Sequence, residues 1–211
     1  PNLNLDSLDY NFHFDQAIDH FHKSRFELAT NYFKEILVQK RNYRDPVTHL
    51  LLAKSQYRNG QLKAAKKTCK SFLKIYEHSP YQFHCEMLLA DIYLSEGFFT
   101  DAFEAYLSLR KSLKDTVNVN LTDSRIISCI SNKINPIELE GMLFTEENKI
   151  NKIIINLGRA YISWIDGNKR DLSLALNGID NRIVPSTFLG LYESLVTASE
   201  RKLKNQTTVA L

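Results

Sequence analysis

The 211-residue chain is 44% hydrophobic and 24% charged, with 27 basic and 24 acidic residues and a formal net charge of +3. That balance excludes disorder as the default state and leaves too small a positive surplus to indicate a nucleic-acid partner. No stretch approaches the roughly 18 consecutive apolar residues of a membrane span, and three cysteines with no CxxC spacing support neither a zinc ribbon nor a disulfide framework.

Residues 1–11 are expected to form a flexible N-terminal segment. The opening Asn2-Leu3-Asn4-Leu5-Asp6 has no basic stretch followed by an apolar one, so no export signal is visible. An internal repeat then runs from Phe12 to about Leu113. Ala17, Ala53 and Ala90 are separated by 36 and 37 residues, and Ala29, Ala65 and Ala102 by the same intervals. Two independent markers share one period, the mark of a repeat architecture. Between the two alanines of each unit lies a helix break: Lys23-Ser24-Arg25, Asn59-Gly60-Gln61 and Glu96-Gly97-Phe98, where Gly60 and Gly97 suit a left-handed helix end. Each unit therefore reads as a helical hairpin whose alanines let two antiparallel backbones approach. Phe26, Leu62 and Phe99 stand three residues before the second alanine, and Phe33, Cys69 and Tyr106 four after it, on the same inner face. Pro46 and Pro80 close the first two units.

These residues resemble the tetratricopeptide family, whose units carry small, aromatic and proline positions in this order at a period of about 34 residues. The period here is two to three residues longer, the Trp and Leu-Gly of the family pattern are missing from the first three units, and Arg41 stands where the first proline is expected. The resemblance implies an all-α fold: a right-handed superhelix of antiparallel helix pairs, with three regular repeats over 12–114 and degenerate, capping helical repeats over 115–204.

In that second part, Asp115-Thr116-Val117-Asn118-Val119-Asn120 reads as a polar, β-branched connection, with Thr122 or Asp123 capping a helix that runs through Ile130. Asn135-Pro136 begins a short helix with proline at its first position. Thr145 to Asn148 open a longer helix carrying Ile150, Ile153, Ile154, Leu157, Tyr161 and Trp164 as a stripe. With Leu157-Gly158 and Tyr161 this helix looks like the first of a fourth, degenerate unit, ended by Gly167. Leu172, Leu174, Ala175 and Leu176 supply a return helix, and Pro185 to Leu203 a final one with Phe188, Leu191, Leu195 and Ala198 inward. Lys204-Asn205-Gln206 reads as helix-ending, and Thr207 to Leu211 has strand propensity, so 205–211 is expected to be a linker or the start of a further domain.

The order of hairpins, then Asn135-Pro136-Ile137-Glu138-Leu139-Glu140, then Leu157-Gly158-Arg159-Ala160-Tyr161, then Thr208-Val209-Ala210-Leu211 is similar to bacterial envelope proteins. These join tetratricopeptide-like repeats to a periplasmic-binding-protein-like domain of the Leu/Ile/Val-binding type, and include lipoprotein activators of penicillin-binding proteins. The resemblance implies a periplasmic or cell-envelope location, a lipid anchor upstream and a ligand-binding domain downstream. A structural spacer and a cytoplasmic peptide adaptor are the alternatives.

Reactive constellations are sparse. His13 and His20 share a helix face without a third ligand, His20 and His22 diverge, and Cys85 beside His84 faces another way, so no metal, cofactor or catalytic site is expected and the thiols read as buried or inert. Lys63, Lys66, Lys67, Lys70 and Lys74 form a basic stripe that reads as a solvated convex face, the alternative being an electrostatic contact with acidic lipid, nucleic acid or protein. First helices line the concave groove that binds peptides in the resembled family. Counting from the alanine markers assigns to it Phe21 and His22, then Lys54, Tyr57 and Arg58, then Asp91, Leu94 and Ser95, with Arg159 and Ile162 continuing the line in a fourth unit. Lys54 and Arg58, four apart, suit a partner carboxylate, and Tyr57 adds amphipathic contact area. The expected function is non-enzymatic binding of a protein or peptide partner.

Overall fold

The computed structural model describes residues 10–132 and 134–207, with side chains to residue 200. Among the described residues the fold is all-helical: eleven α-helices and one short 3-10 turn, with consecutive helices paired as in a helical-repeat solenoid. The chain divides into two compact units, 1–97 and 98–211.

The first unit contains α1 (Tyr10–His22), α2 (Phe26–Gln39), α3 (Val47–Arg58), α4 (Leu62–Ile75) and α5 (Gln82–Ser95), each packed on the next in sequence. Its hairpin turns share one design. The middle residue takes positive φ, +58° at Ser24 and +73° at Gly60, so that the next N–H reaches back five residues: Arg25 N donates to His20 O at 2.8 Å and Gln61 N to Gln56 O at 2.9 Å. This bond closes the last helical turn and reverses the chain. Gly97, after α5, has the same sign of φ at +82°. Ser24 shows that the geometry belongs to the turn rather than to glycine.

All five of the unit's marker alanines, Ala17, Ala29, Ala53, Ala65 and Ala90, are fully buried. Bulkier side chains fill the layers between them: Phe14 meets Phe33 edge-on at 5.7 Å in one cluster, and Leu50, Cys69, Phe72, Cys85, Leu88 and Ile92 build the next. The 1–11 segment falls mostly on residues outside those described, while Tyr10 and Asn11 belong to α1, where Asn11 Oδ1 accepts from Tyr43 Oη at 2.6 Å.

The second unit contains α6 (Phe99–Ser112), α7 (Thr116–Ser131), α8 (Pro136–Thr145), α9 (Lys149–Ile165), α10 (Lys169–Asn177), a 3-10 turn (Asn181–Ile183) and α11 (Ser186–Thr207). Side-chain caps begin most of them. Asn135 accepts from Ile137 N with Pro136 at the first helical position, Asn148 from Asn151 N, and Asn168 from Asp171 N. The expected connection over Asp115 to Asn120 is instead the first turn of α7, because Asp115 accepts from Val117 N and Asn118 N and outweighs the poor helix propensity of the residues that follow. Asp123 is no cap; it lies buried in mid-helix. Likewise α11 runs on through Lys204 to Thr207, where a helix end was expected, and the strand expected toward Leu211 falls on residues 208–211, outside those described. Of the residues expected inward on α11, Phe188 and Leu195 are buried and Leu191 and Ala198 half-buried; on α10 Leu172 and Ala175 are buried and Leu174 is 55% exposed.

Helices α9 and α10 form a hairpin within this unit, the one the sequence reading expects as a fourth. Gly167 takes φ +72° and Asn168 N donates to Ser163 O at 2.8 Å, the same turn as at Ser24 and Gly60. Buried Ala160 stands seven residues before Gly167, as Ala17, Ala53 and Ala90 stand before Ser24, Gly60 and Gly97, while Leu172 replaces the second alanine. Gly158 admits α8 to close range: a Cβ there would touch Leu139 Cδ1 at 3.4 Å.

Polar locks tie this unit together. Asn151 Nδ2 donates to Leu107 O at 3.1 Å and to Glu146 Oε2 at 3.2 Å, and Lys111 Nζ lies 2.9 Å from the Glu146 carboxylate. Burial alone would push the Glu146 carboxyl up, but hydrogen bonds from Asn148 N, Lys111 and Asn151 outweigh it and hold the pKa below the ordinary 4.5. A carboxylate depressed in the folded state contributes stability that is complete above the unfolded pKa and disappears as pH falls through the folded one. Wild-type protein is therefore expected to lose its stability advantage over Glu146→Gln as pH is lowered from 7 to below 4.5, read from urea midpoints; a constant gap would refute the linkage.

Candidate partner-binding surface

In the first unit the predicted residues occupy equivalent places on α1, α3 and α5: Phe21 and His22, Tyr57 and Arg58, and Leu94 and Ser95 stand three and two residues before Ser24, Gly60 and Gly97. The structure brings several of them together. Tyr57 Oη lies 3.0 Å from Ser95 Oγ, a hydrogen bond between neighbouring first helices, and Ser95 Oγ also donates to Asp91 O at 2.8 Å. The Arg58 guanidinium sits over the Phe26 ring at 5.7 Å, and Phe26 meets Phe21 edge-on at 5.5 Å, so Arg58 and Phe21 share one aromatic platform. His22, Arg58 and Ser95 are exposed, while Phe21, Lys54, Tyr57, Asp91 and Leu94 are half-buried. Burial lowers the Lys54 pKa, partly countered by Cys85 nearby, and burial together with the Lys54 charge lowers that of His84. Lys54 thus lies within electrostatic reach of Cys85 and His84 on α5.

In the second unit Arg159 is engaged rather than free: its guanidinium donates to Asn156 Oδ1 at 3.0 Å and to Glu140 Oε1 at 3.1 Å. Ile162 is 9% exposed and lines an apolar cavity of about 240 Å³ with Ile130, Ile134, Tyr161 and Ile165. Counted from the turn at Gly167, the places held by Lys54, Tyr57 and Arg58 fall to Tyr161, Trp164 and Ile165. Trp164 is 40% and Ile165 47% exposed, and Tyr161 packs on Trp164 with ring centroids 5.8 Å apart. The sequence reading missed this trio because Arg159 and Ile162 count from Gly158 as the small-residue marker; counted from Ala160, which keeps the markers' distance to the turn, the places fall to Tyr161, Trp164 and Ile165. Neither family models nor curated proteins match this chain.

The other reactive residues have packing roles. His13 and His20 both stack on Tyr32 of α2, at 6.1 and 5.5 Å, so their common face is a helix–helix contact. Cys69, Cys85 and Cys129 are free and buried. Cys85 Sγ donates to Cys69 O at 3.6 Å, and that contact with Cys69, together with burial, pushes its thiol pKa up, away from thiolate chemistry. Among the described residues no three His, Cys, Asp or Glu side chains gather in a metal-binding arrangement, and no helix is long and apolar enough to cross a membrane.

Proposed function

We propose that the chain is a non-enzymatic helical-repeat module that holds a protein partner along the face built by α1, α3 and α5. The hydrogen bond between Tyr57 and Ser95 carries this reading: it fixes two first helices side by side and leaves Arg58, His22 and the edge of Tyr57 open to solvent. An aromatic ring and a guanidinium already held in place lose little freedom on binding, and residues of these types anchor protein interfaces. With Lys54 beside them, the face suits a segment that carries a carboxylate. The similarity of the Asn135–Glu140 and Leu157–Tyr161 segments to envelope proteins supports a periplasmic setting for the module, next to a ligand-binding domain.

The test is affinity capture by the purified chain, followed by titration of the captured protein as a purified component. Lys54→Glu with Arg58→Glu is expected to weaken that complex by about tenfold or more without changing helicity, and Arg58→Glu alone, at an exposed position, by a smaller factor in the same direction. Equal affinity for wild type and the double variant would leave the spacer reading standing instead.

A further inference from the structure

The outward face of α4 carries a second, unrelated feature. Lys63, Lys67, Lys70 and Lys74 recur at intervals of four, three and four residues, which on an α-helix places them within an arc of about 60°. Their Cβ atoms follow one another at about 5–6 Å. All four are exposed, and none has an ion-pair partner among the described residues. The fifth lysine of the run, Lys66, turns aside: its Nζ lies 2.7 Å from Glu96 Oε2 and 4.5 Å from the Tyr93 ring centroid. There is no acidic residue in α4, and residues 10–97 hold thirteen basic side chains against nine acidic ones, so the unit's whole positive surplus is the stripe itself. The lysines border a shallow open depression with Ser71 and no aromatic or apolar side chain.

We propose that this face of α4 adsorbs to an anionic lipid bilayer surface. Four long, flexible cations within so narrow an arc can all touch one plane, and a plane of anionic headgroups is the partner that asks for nothing else. Single-stranded nucleic acid is held by stacking on aromatic rings, and protein interfaces by aromatic or arginine anchors; the stripe has neither. Without apolar residues on this face, the helix rests on the headgroups and does not insert.

Each lysine near an anionic surface is worth roughly fivefold in partition coefficient, so the four together give on the order of 500-fold. The full chain is expected to co-sediment with vesicles of pure phosphatidylglycerol, to stay in solution with phosphatidylcholine vesicles, and to be released by high salt. Replacing the four with glutamine (Lys63→Gln, Lys67→Gln, Lys70→Gln, Lys74→Gln), a change that keeps helix propensity, should abolish sedimentation with unchanged circular dichroism. Lys54→Glu with Arg58→Glu should leave it intact, which separates this surface from the α1–α3–α5 face. Equal binding to both vesicle types, retention by the quadruple variant, or tighter lysine-dependent binding to a DNA duplex than to phosphatidylglycerol would each overturn the proposal.

Discussion

Replacing Asp123 with alanine is expected to destabilise the second unit by about 3–5 kcal/mol. The carboxylate is 1% exposed in the middle of α7 and receives Nε of Arg110 from α6 on one oxygen. Its other oxygen accepts from Arg110 Nη2 at 3.3 Å and from Thr187 Oγ1 of α11 at 2.7 Å. Three helices thus meet on one anion. The forked guanidinium and the hydroxyl satisfy it, and removing it leaves the arginine charge, itself largely buried, without a partner. That orphaned charge rather than the lost attraction sets the cost, so Asp123→Leu combined with Arg110→Met should recover most of the stability that either single change removes. Urea denaturation of the four proteins gives the coupling directly. A single-mutant loss below about 1 kcal/mol would show that the pair behaves as a surface salt bridge.

The role of Asp123 was hidden in the sequence for a physical reason. Aspartate near a helix start favours the cap position, and the low helix propensity of Thr116 to Asn120 made a start at Thr122 or Asp123 the cheaper local solution. What overrode it was the cap at Asp115 and the tertiary partner Arg110, thirteen residues back. By contrast, the hairpins were legible because their determinants are local: Gly60 and Gly97 mark turns that need positive φ, and every marker alanine is fully buried. The fourth hairpin was half legible. Gly167 and Leu172 announced it, but α7 and α8 intervene and place Ala160 seventy residues after Ala90, so the repeat period no longer singles out Ala160 over Gly158 as the marker. Tyr161, Trp164 and Ile165 were lost with that marker, and Arg159, read as open surface, spends its hydrogen bonds on Asn156 and Glu140. The lysine stripe needed only helical periodicity, yet the departure of Lys66 toward Glu96 depends on a contact thirty residues away in sequence.

On the opposite side of α4 from those lysines, Phe72→Ala is expected to cost about 3–5 kcal/mol, the usual range for removing a buried aromatic side chain whose cavity cannot fully collapse. Phe72 is 1% exposed and belongs to the cluster that includes Leu50, Ala53, Ala65, Cys69, Cys85, Leu88 and Ile92, with the Tyr76 ring 5.1 Å away. Those partners come from α3, α4 and α5, so the ring fills the space that the alanines of the seam leave open. Lys70→Ala, two residues earlier on the solvent side, should stay within about 0.5 kcal/mol of wild type. The contrast tests more than burial. If α4 holds α3 against α5, then thermal unfolding of Phe72→Ala should begin at lower temperature together with loss of the Tyr57–Ser95 contact, visible as early deprotection of α3 and α5 amides in hydrogen exchange. Were α3 and α5 to keep their protection after α4 loosens, the face carrying Tyr57 and Arg58 would owe its geometry to direct contact between the first helices, and the paired-helix seam would not be what positions it.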